Sequence, residues 1–438
     1  MVCWYAGAAG RGTGEKRVRL GILQAAFAFW RTRSLARRLR ERSDVERWQR
    51  ARLERFLRRT LPGVPFYAGY RGMRLDELPV MDKSTLLANF EQLNRAGVTL
   101  AEARVALDQG LERVRGLIVG QSTGTSGNRG IFVISEAERF TWLGVILAKA
   151  LPDVLWARHR VALVLPGFGQ LYASAAETGR LALRFFDLAR GLGHWLDDLR
   201  AFDPDTIVAP PKILRALAEA GGLRPRHVFS GAEVLDPLDR AVIEAGFGAT
   251  VREIYMATEG LFGVGCPEGV LHLAEDAVAF EWEKVPGSPD LVAPLITDFT
   301  RSTQVMARYR MNDLLQLRHT PCPCGSPLQP VARIEGRQDD VFHLPGGVLV
   351  TPDILRNAVV DADRRIQDFR IVQTGEAAIE LSLAADLAPE AAAAAAEALH
   401  RALATIGADQ VEIRLASGLA LPLDRKLRRV RREWWPDG

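Results

Sequence analysis

The sequence predicts an α/β protein with a large multi-sheet N-terminal domain and a small α+β C-terminal domain. The 438 residues are too many for one ordinary hydrophobic core. Between Val114 and Val341, short runs rich in β-forming residues alternate with helical patterns, as in a parallel or mixed sheet covered by helices. After Gly336 the pattern changes to a hairpin, an alanine-rich helix and one more strand, which is typical of a small separate domain.

The beginning of the chain is glycine-rich and polar, and we expect residues 1–19 to be a disordered tail. A helical region follows from Leu20 to Thr60, and Pro62 and Pro65 end it. Residues 1–60 carry 16 Lys and Arg against 5 Asp and Glu, a net charge of +11, which leaves −7 on the remainder. A solvated arginine-rich helix explains this charge, and peripheral contact with a membrane surface and a nucleic-acid patch are the alternatives that remain open.

Composition excludes several classes of protein. Hydrophobic residues at 48% and charged residues at 25% are usual for a globular chain and unusual for a disordered one. The apolar run from Leu20 to Trp30 is interrupted by Gln24 and is shorter than the roughly 20 residues of a membrane-spanning helix. With no recognisable signal peptide and only four cysteines, we expect a reduced, cytoplasmic protein without a transmembrane segment.

The middle of the chain alternates strands and helices. We expect strands at residues 117–119, 131–134, 161–165, 183–186, 206–209, 227–229 and 251–255, with helices at 211–220 and 237–245 among them. In the C-terminal domain we expect strands at residues 369–374, 378–384 and 411–415, and a helix at 389–406. The alanine run inside that helix is explained by the high helix propensity of alanine.

A glycine- and hydroxyl-rich segment follows the strand at 117–119 and is a candidate phosphate-binding loop. Glycines let the backbone approach a ligand closely, and hydroxyls with successive backbone N–H groups offer donors to phosphate oxygens. The segment lacks the Gly-Lys-Ser/Thr ending of a Walker A loop, and a surface hairpin is the alternative. The candidate residues are Ser122, Thr123, Gly124, Thr125, Ser126 and Gly127.

Four further motifs follow in order, and the first two lie at the ends of predicted strands, where ligands collect in α/β sheets. They are Ser230-Gly231-Ala232-Glu233, Tyr255-Met256-Ala257-Thr258-Glu259, Arg308-Tyr309-Arg310-Met311-Asn312-Asp313 and Gly336-Arg337-Gln338-Asp339-Asp340. With the glycine-rich loop, the ordered set resembles the adenylate-forming (ANL) superfamily of acyl-CoA synthetases and adenylation domains. The closest resemblance is to its phenylacetate-CoA ligase-like branch, which includes synthetases that adenylylate a deazaflavin coenzyme.

The resemblance implies a binding site for ATP and Mg²⁺. Residues 122–127 would hold the ATP phosphates, Thr258 would contact phosphate, and Glu259 would help to ligate Mg²⁺, because Mg²⁺ prefers hard oxygen ligands. Asp313 would accept the ribose hydroxyls, with Arg337 beside it. The nucleotide-binding set is completed by Ala232, Glu233 and Tyr255, of which the first two would border the adenine.

The resemblance also implies that residues 20–336 form the adenylate-forming domain and residues 337–438 a lid that rotates about Asp339. Lys426 matches the lid lysine that reaches the substrate carboxylate and the α-phosphate, where its charge would stabilise the transition state. Two departures from the family pattern stand out. Asn128 and Arg129 follow the loop where a lysine is common, and Arg425 precedes Lys426 where a glycine is common.

Three thiols and one imidazole occur in two short pairs, Cys266 with His272 and Cys322 with Cys324. If the fold brings the pairs together, they provide the four ligands of a tetrahedral structural zinc site. Ordinary reduced cysteines with a surface histidine are the alternative. A catalytic thiol is not expected, because no base is paired with any of these cysteines.

The implied activity is ATP-dependent adenylation of a small-molecule carboxylic acid, aryl or fatty, followed by transfer of the acyl group to a thiol. Coenzyme A or an acyl carrier protein would supply that thiol, and no nucleic acid is involved. Transfer of AMP to a non-carboxylate acceptor, such as a phenolic coenzyme, is the alternative. We expect a partly aromatic, mainly apolar acid pocket around residues 166–172, Phe185, Phe186 and residues 230–232.

Overall fold

The computed structural model describes residues 11–121, 130–165, 177–178, 180–419 and 428–435, and these form a mixed α/β protein, as the sequence predicts. The α-helices are α1 (Arg11–Arg38), α2 (Arg42–Arg55), α3 (Lys83–Ala88), α4 (Phe90–Leu93), α5 (Leu100–Asp108), α6 (Glu136–Ala150), α7 (Leu192–Phe202), α8 (Pro211–Ala220), α9 (Pro237–Phe247), α10 (Pro352–Val360) and α11 (Pro389–Thr405). A π-helical turn, Phe56–Thr60, extends α2, and short 3₁₀ helices lie at Leu61–Gly63, Pro65–Tyr70, Leu75–Glu77, Leu188–Arg190, Gln338–Asp340 and Pro345–Gly347.

The strands follow the same order along the chain. They are β1 (Arg113–Val114), β2 (Leu117–Gln121), β3 (Ile131–Ile134), β4 (His159–Leu165), β5 (Glu177–Thr178), β6 (Leu181–Asp187), β7 (Thr206–Ala209), β8 (His227–Gly231), β9 (Val251–Ala257), β10 (Gly260–Gly265), β11 (Leu271–Leu273), β12 (Val278–Lys284), β13 (Leu291–Asp298), β14 (Tyr309–Arg310), β15 (Asp313–Leu317), β16 (Pro330–Arg337), β17 (Phe342–Leu344), β18 (Val348–Val350), β19 (Phe369–Gly375), β20 (Ala378–Leu383), β21 (Glu412–Ser417) and β22 (Val430–Arg432).

The central feature is a sheet of thirteen described strands in the order β12-β13-β15-β16-β11-β10-β9-β8-β7-β4-β6-β5, with β14 beside β13. Strands β6, β4, β7, β8 and β9 run parallel to one another, and the remaining pairs of the sheet are antiparallel. The carboxyl ends of the parallel strands therefore lie at one edge of the sheet. This edge is where ligands bind in open α/β sheets.

Two hydrophobic cores cover the faces of the parallel strands. One includes Trp195, Leu214 and Ile243 from α7, α8 and α9, and the other includes Phe29 of α1 and Ala148 of α6. Local sequence signals begin these helices: Pro211 and Pro237 occupy first-turn positions, and Asp236 caps α9 by accepting from the backbone N–H of Leu238.

The C-terminal part of the chain has its own sheet, in the order β21-β20-β19-β22, with α10 and α11 packed on it. A hairpin of β17 and β18 precedes it. Arg429, next to β22, reaches back to α9: its Nη1 donates to Asp239 Oδ2 over 2.6 Å, and its Nε donates to Asp368 Oδ1 over 2.8 Å. This buried ion pair fastens the C-terminal sheet to the helix layer of the large sheet.

The N-terminal helix α1 begins at Arg11, inside the segment for which the sequence predicts a tail. The tail boundary at residue 19 stays a prediction. Glu15, Lys16 and Arg17 favour helix strongly enough to offset Gly12 and Gly14. None of the helices in the described ranges combines the length and apolar character needed to cross a membrane.

Helix α1 packs closely on α6 through small residues. A Cβ atom added at Gly144 of α6 would lie 2.1 Å from the carbonyl oxygen of Ala25 and 2.8 Å from Ala28 Cβ. Only glycine permits this approach of the two helix backbones. The inner face of α1, including Ala25, Ala28 and Phe29, is consequently buried.

Candidate active site

The ends of β8 and β9 carry two of the predicted motifs side by side. Ala232 follows β8 with a φ of 72°, in the left-handed region that a residue with a Cβ rarely adopts. Such backbone conformations cost of order 1–3 kcal/mol and cluster at functional sites. Thr258 and Glu259 follow β9, the neighbouring strand.

The Glu259 carboxylate is held at both oxygens. Tyr309 Oη donates to Glu259 Oε1 over 2.9 Å, and Thr258 Oγ1 donates to Oε2 over 2.7 Å. Arg301 Nη1 donates to the backbone carbonyl of Glu259 over 2.8 Å. Each carboxylate oxygen retains a lone pair, so the group is oriented and still able to bind a cation.

Asp313 is held by a second tyrosine. Tyr255 Oη, on β9, donates to Asp313 Oδ2 over 2.8 Å. Asp313 and Arg337 are register partners across β15 and β16, so the predicted ribose-binding carboxylate and its basic neighbour lie side by side. The structure thus brings together motifs that are 58 residues apart in the chain.

Both phenols are neutral donors. Burial raises the pKa of Tyr255 well above its ordinary value, and the charges of Asp313 and Glu259 raise it further. Burial likewise raises the pKa of Tyr309, with Glu259, Asp82 and Asp313 adding to the effect. Since a raised tyrosine pKa keeps the proton on oxygen, both hydroxyls continue to donate at any physiological pH.

Lys83 was not singled out from the sequence, yet it faces this site. Backbone hydrogen bonds between Met81 and residues 308 and 310 hold the start of α3 against β14. Burial lowers the pKa of Lys83, and Arg337 lowers it further, against opposing effects of Glu259 and Asp339. Tyr309 was also not proposed as a site residue, although it lies in the sequence motif that begins at Arg308. A signal for Lys83 existed, because only six of the 57 basic residues are lysines.

A cavity of about 170 Å³ adjoins Thr258. Its wall is mainly apolar and aromatic, with three arginines and three acids among the lining residues. It is formed by parts of α1, α2, α6, β3, the β9–β10 turn and the segment after β13. Representative lining residues are Leu35, Trp48, Phe132, Trp142 and Phe299. The site therefore combines oriented carboxylates with an adjacent apolar compartment.

This cavity lies apart from part of the expected acid pocket. Phe186 is 3% exposed and packs against Trp195, with ring centroids 5.8 Å apart, in the core beneath α7. Its assignment to the pocket is wrong, because alternate residues of β6 face opposite sides of the sheet. Residues 166–172 lie outside the described residues.

Glu233 forms an ion pair with a buried lysine. Its Oε1 lies 3.7 Å from Lys212 Nζ, and both side chains are less than 10% exposed. The predicted adenine-bordering segment is thus anchored to the start of α8.

The phosphate-loop residues Ser122 to Gly127 and the lid residue Lys426 lie outside the described residues. Their flanks are described: Gln121 pairs with Ile131 across β2 and β3, and Arg428 forms an ion pair with Asp340.

The predicted metal ligands form a separate cluster. One ligand atom each from Cys266, His272, Cys322 and Cys324 lies within 4.8 Å of the others. Two tight turns present the thiols: Gly269 N donates to the carbonyl of Cys266, and Gly325 N donates to that of Cys322. Strands β10, β11 and β16 are neighbours in the sheet, which explains why the two pairs meet.

The spacing of these atoms matches tetrahedral coordination. The Sγ atoms of Cys266 and Cys322 are 3.7 Å apart, and a zinc–sulfur bond of about 2.3 Å gives a ligand–ligand edge of about 3.8 Å. His272 Nδ1 donates to the carbonyl of Leu328 over 3.0 Å, which turns Nε2 toward Cys324 Sγ at 3.4 Å. Burial lowers the pKa of His272, so the ring is neutral, as a ligand must be.

Comparison with known proteins supports the fold. No protein-family model and no curated protein matches the chain. Among solved structures, 2-hydroxyisobutyryl-CoA ligase in the postadenylation state, in complex with R3-HIB-AMP, is 21% identical, with a TM-score of 0.60 over 89% of this chain and 88% of that chain. The GH3.15 acyl acid amido synthetase is 11% identical, with a TM-score of 0.55 over 92% and 95%.

A third similar structure comes from a study of fatty acyl-adenylate ligases of E. coli and L. pneumophila, at 15% identity and a TM-score of 0.50 over 70% of this chain and 67% of that chain. The chain therefore has the fold of the adenylate-forming ligases. The predicted resemblance is confirmed at the level of the fold, as is the α/β class.

Proposed function

We propose that the protein is an adenylate-forming ligase that joins a carboxylic acid to AMP and then passes the acyl group to a thiol. The observation that carries the proposal is the pair of oriented carboxylates, Glu259 and Asp313, held by Tyr309 and Tyr255 beside an apolar cavity. The fold shared with acyl-adenylate ligases supports the same reaction class.

In this reaction an oxygen of the substrate carboxylate attacks the α-phosphorus of ATP. The bond from that phosphorus to the bridging oxygen of the β-phosphate breaks, and pyrophosphate leaves with the electron pair. The protein has little covalent chemistry to do, so positioning and charge stabilisation supply most of the catalysis. The apolar cavity would exclude water and hold the organic part of the acid.

The residues present fit ATP and Mg²⁺. Glu259 offers the hard oxygen that Mg²⁺ prefers, and the metal would neutralise phosphate charge when bound. Asp313, which accepts from Tyr255 at Oδ2, would accept the ribose hydroxyls of ATP. Lys83 adds a cation that faces Glu259 and Asp339. Residues 122–127 and Lys426 complete the proposed set.

The thiol acceptor is proposed to be coenzyme A, with an acyl carrier protein as the alternative thiol. Both follow from the predicted family resemblance.

We further propose that a structural zinc ion is held by Cys266, His272, Cys322 and Cys324, since their spacing and the orientation of the imidazole suit it. All four positions would be filled by protein ligands, which is typical of structural sites.

The test is ATP–pyrophosphate exchange with a panel of aryl and fatty acids, in Mg²⁺, for the wild type, Glu259→Gln and the exposed control Glu268→Gln. We expect acid-dependent exchange that falls about 100-fold in Glu259→Gln, the order seen when one electrostatic contact to a transition state is removed. The control should match the wild type. Adding coenzyme A should then consume the acyl-AMP.

Two outcomes would contradict the proposal. One is exchange that is indifferent to every acid yet appears with a phenol, which favours the adenylyltransferase alternative. The other is a folded protein in which Glu259→Gln and Glu268→Gln retain equal activity.

A further inference from the structure

The outer face of α1 carries an apolar stripe. Leu20, Leu23, Phe27 and Trp30 are 68%, 68%, 69% and 57% exposed. Their spacing of three, four and three residues places them on one side of the helix. Large apolar side chains exposed in a contiguous group mark an interaction surface, whereas single ones do not.

The apolar stripe lies on the solvent side of α1 and is not the face by which α1 packs on the protein. The opposite face of α1 is already seated on α6, where Gly144 admits Ala25 and Ala28 at close range. Ala28 and Phe29 are each 2% exposed. The helix therefore has one partner inside the molecule and presents a second apolar face outward.

The second half of α1 is strongly cationic. Arg31, Arg33, Arg37 and Arg38 lie between residues 31 and 38, and the stretch from Leu20 to Arg38 has no Asp or Glu. Within the part of the chain that the structure describes, no ion pair joins these four arginines to a carboxylate. Arg31, Arg37 and Arg38 are exposed.

The arginines also repel one another. Burial lowers the pKa of Arg33, with Arg37 as the second cause, and burial lowers the pKa of Arg52 on α2, with Arg31 as the second cause. The Nε atoms of Arg33 and Arg52 are buried without a hydrogen-bond partner among the described groups. An anionic surface would stabilise the exposed members of this group, which are Arg31, Arg37 and Arg38.

We propose that the outer face of α1 docks on an anionic lipid bilayer, with Leu20, Leu23, Phe27 and Trp30 in the acyl boundary and the arginines at the headgroups. An apolar stripe continued by cations is the pattern of an interfacial helix. A second copy of the chain fits less well, because pairing two stripes brings two sets of arginines together. A nucleic acid fits less well, because its phosphates leave the apolar stripe in water.

The test is flotation of the full-length protein with vesicles of phosphatidylcholine alone and of phosphatidylcholine mixed with phosphatidylglycerol. We expect binding to the anionic vesicles only, weakened by salt. The double variant Leu23→Asp/Phe27→Asp should lose about tenfold in affinity per residue or more. Arg37→Gln/Arg38→Gln should lose about fivefold per arginine.

Val105→Asp is the matched control, since Val105 is an exposed apolar residue on α5 at 53% exposure. It should bind vesicles like the wild type. All the substituted side chains are exposed, so circular dichroism and thermal unfolding should confirm that every variant is folded. The proposal is overturned by equal binding to neutral and anionic vesicles, by unchanged binding of Leu23→Asp/Phe27→Asp, or by a dimer in solution that this variant dissociates.

Discussion

Tyr255 Oη donates a hydrogen bond to Asp313 Oδ2 over 2.8 Å, joining strand β9 to strand β15 across the candidate site. One oxygen of the carboxylate is thereby held by a strand on the far side of the site. Burial and two nearby carboxylates raise the pKa of this phenol, so it keeps its proton and remains a donor at physiological pH. The same arrangement recurs between Tyr309 and Glu259.

Replacing each tyrosine in turn by phenylalanine should show that the carboxylates of Asp313 and Glu259 have different functions. Tyr255→Phe should raise the KM for ATP about tenfold, because a hydrogen bond to a charged group contributes about 1.5–3 kcal/mol. Tyr309→Phe should instead raise the Mg²⁺ concentration needed for half-maximal pyrophosphate exchange. Titrations of ATP and of Mg²⁺ on both variants test this, each variant serving as the control for the other. The same change of KM and of Mg²⁺ requirement in both variants would disprove the division of roles.

The Cys/His cluster should hold about one zinc ion per chain, measured by elemental analysis of the purified protein. His272→Ala should lose the metal and lower the thermal unfolding temperature, because folding and metal binding are coupled in closed sites. His319→Ala is the matched control, since His319 is exposed and lies three residues before Cys322. Chelator treatment should destabilise the wild type and His319→Ala but leave His272→Ala unchanged. A wild-type protein free of zinc and indifferent to chelator would refute the site.

Glu138 should make stability depend on pH. Its Oε1 accepts from the backbone N–H groups of Ser302 and Thr303 at 2.7 and 2.8 Å, and its Oε2 accepts from Ser135 N at 2.9 Å. Burial alone would raise the pKa of Glu138, but these hydrogen bonds outweigh it and lower the pKa below 4.5.

Because the folded pKa is lower than the unfolded one, the stabilisation is complete above the unfolded pKa and is lost as the pH falls through the folded pKa. Glu138→Gln should therefore lower the free energy of unfolding by about 1–3 kcal/mol at neutral pH, and its difference from the wild type should shrink below about pH 4.5. Urea unfolding at several pH values measures this, with the exposed Glu91→Gln as control. A difference that stays constant down to acid pH would contradict the assignment.

Gly144→Ala should loosen α1 from α6. The new Cβ would lie 2.1 Å from the backbone carbonyl oxygen of Ala25, which cannot move without shifting the helix. We expect a loss of about 3 kcal/mol in the free energy of unfolding and faster proteolysis within residues 11–38. In the control Gly193→Ala, on α7, the added Cβ meets nothing within 4 Å, and stability should change by less than about 1 kcal/mol. Equal stability of the two variants would show that the close packing is unimportant.

Much of the fold could be predicted because the local signals are strong. Helix α8 begins at Pro211 and ends before Gly221, as its proline and glycine indicate, and β7 spans the predicted residues 206–209. The start of α1 is ambiguous in the sequence, because its glycines favour a tail while the neighbouring charged residues favour a helix. The motif residues Thr258, Glu259 and Asp313 were identified by their order along the chain.

The supporting residues of the site were harder to find, because they depend on tertiary contacts. Tyr309 reaches Glu259 only because β14 pairs with β13, and Lys83 arrives through a bridge between Met81 and Tyr309. The Cys/His pairs could be proposed from their chemistry, but their meeting depends on the pairing of β11 with β16. The side of β6 that each phenylalanine faces could not be predicted from two adjacent apolar residues, Phe185 and Phe186, which explains the wrong placement of Phe186.

Helix α1 borders two compartments at once, since Thr32 and Leu35 line the cavity beside Thr258 while Phe27 and Trp30 point away from the molecule. If occupancy of the cavity shifts the position of this helix, then binding in the cavity and attachment at the outside are thermodynamically linked equilibria. Such linkage is reciprocal: a ligand that tightens binding outside is itself bound more tightly by the same factor. An acid in the cavity and a bilayer beneath the helix would then act as each other's effectors, although neither touches the other.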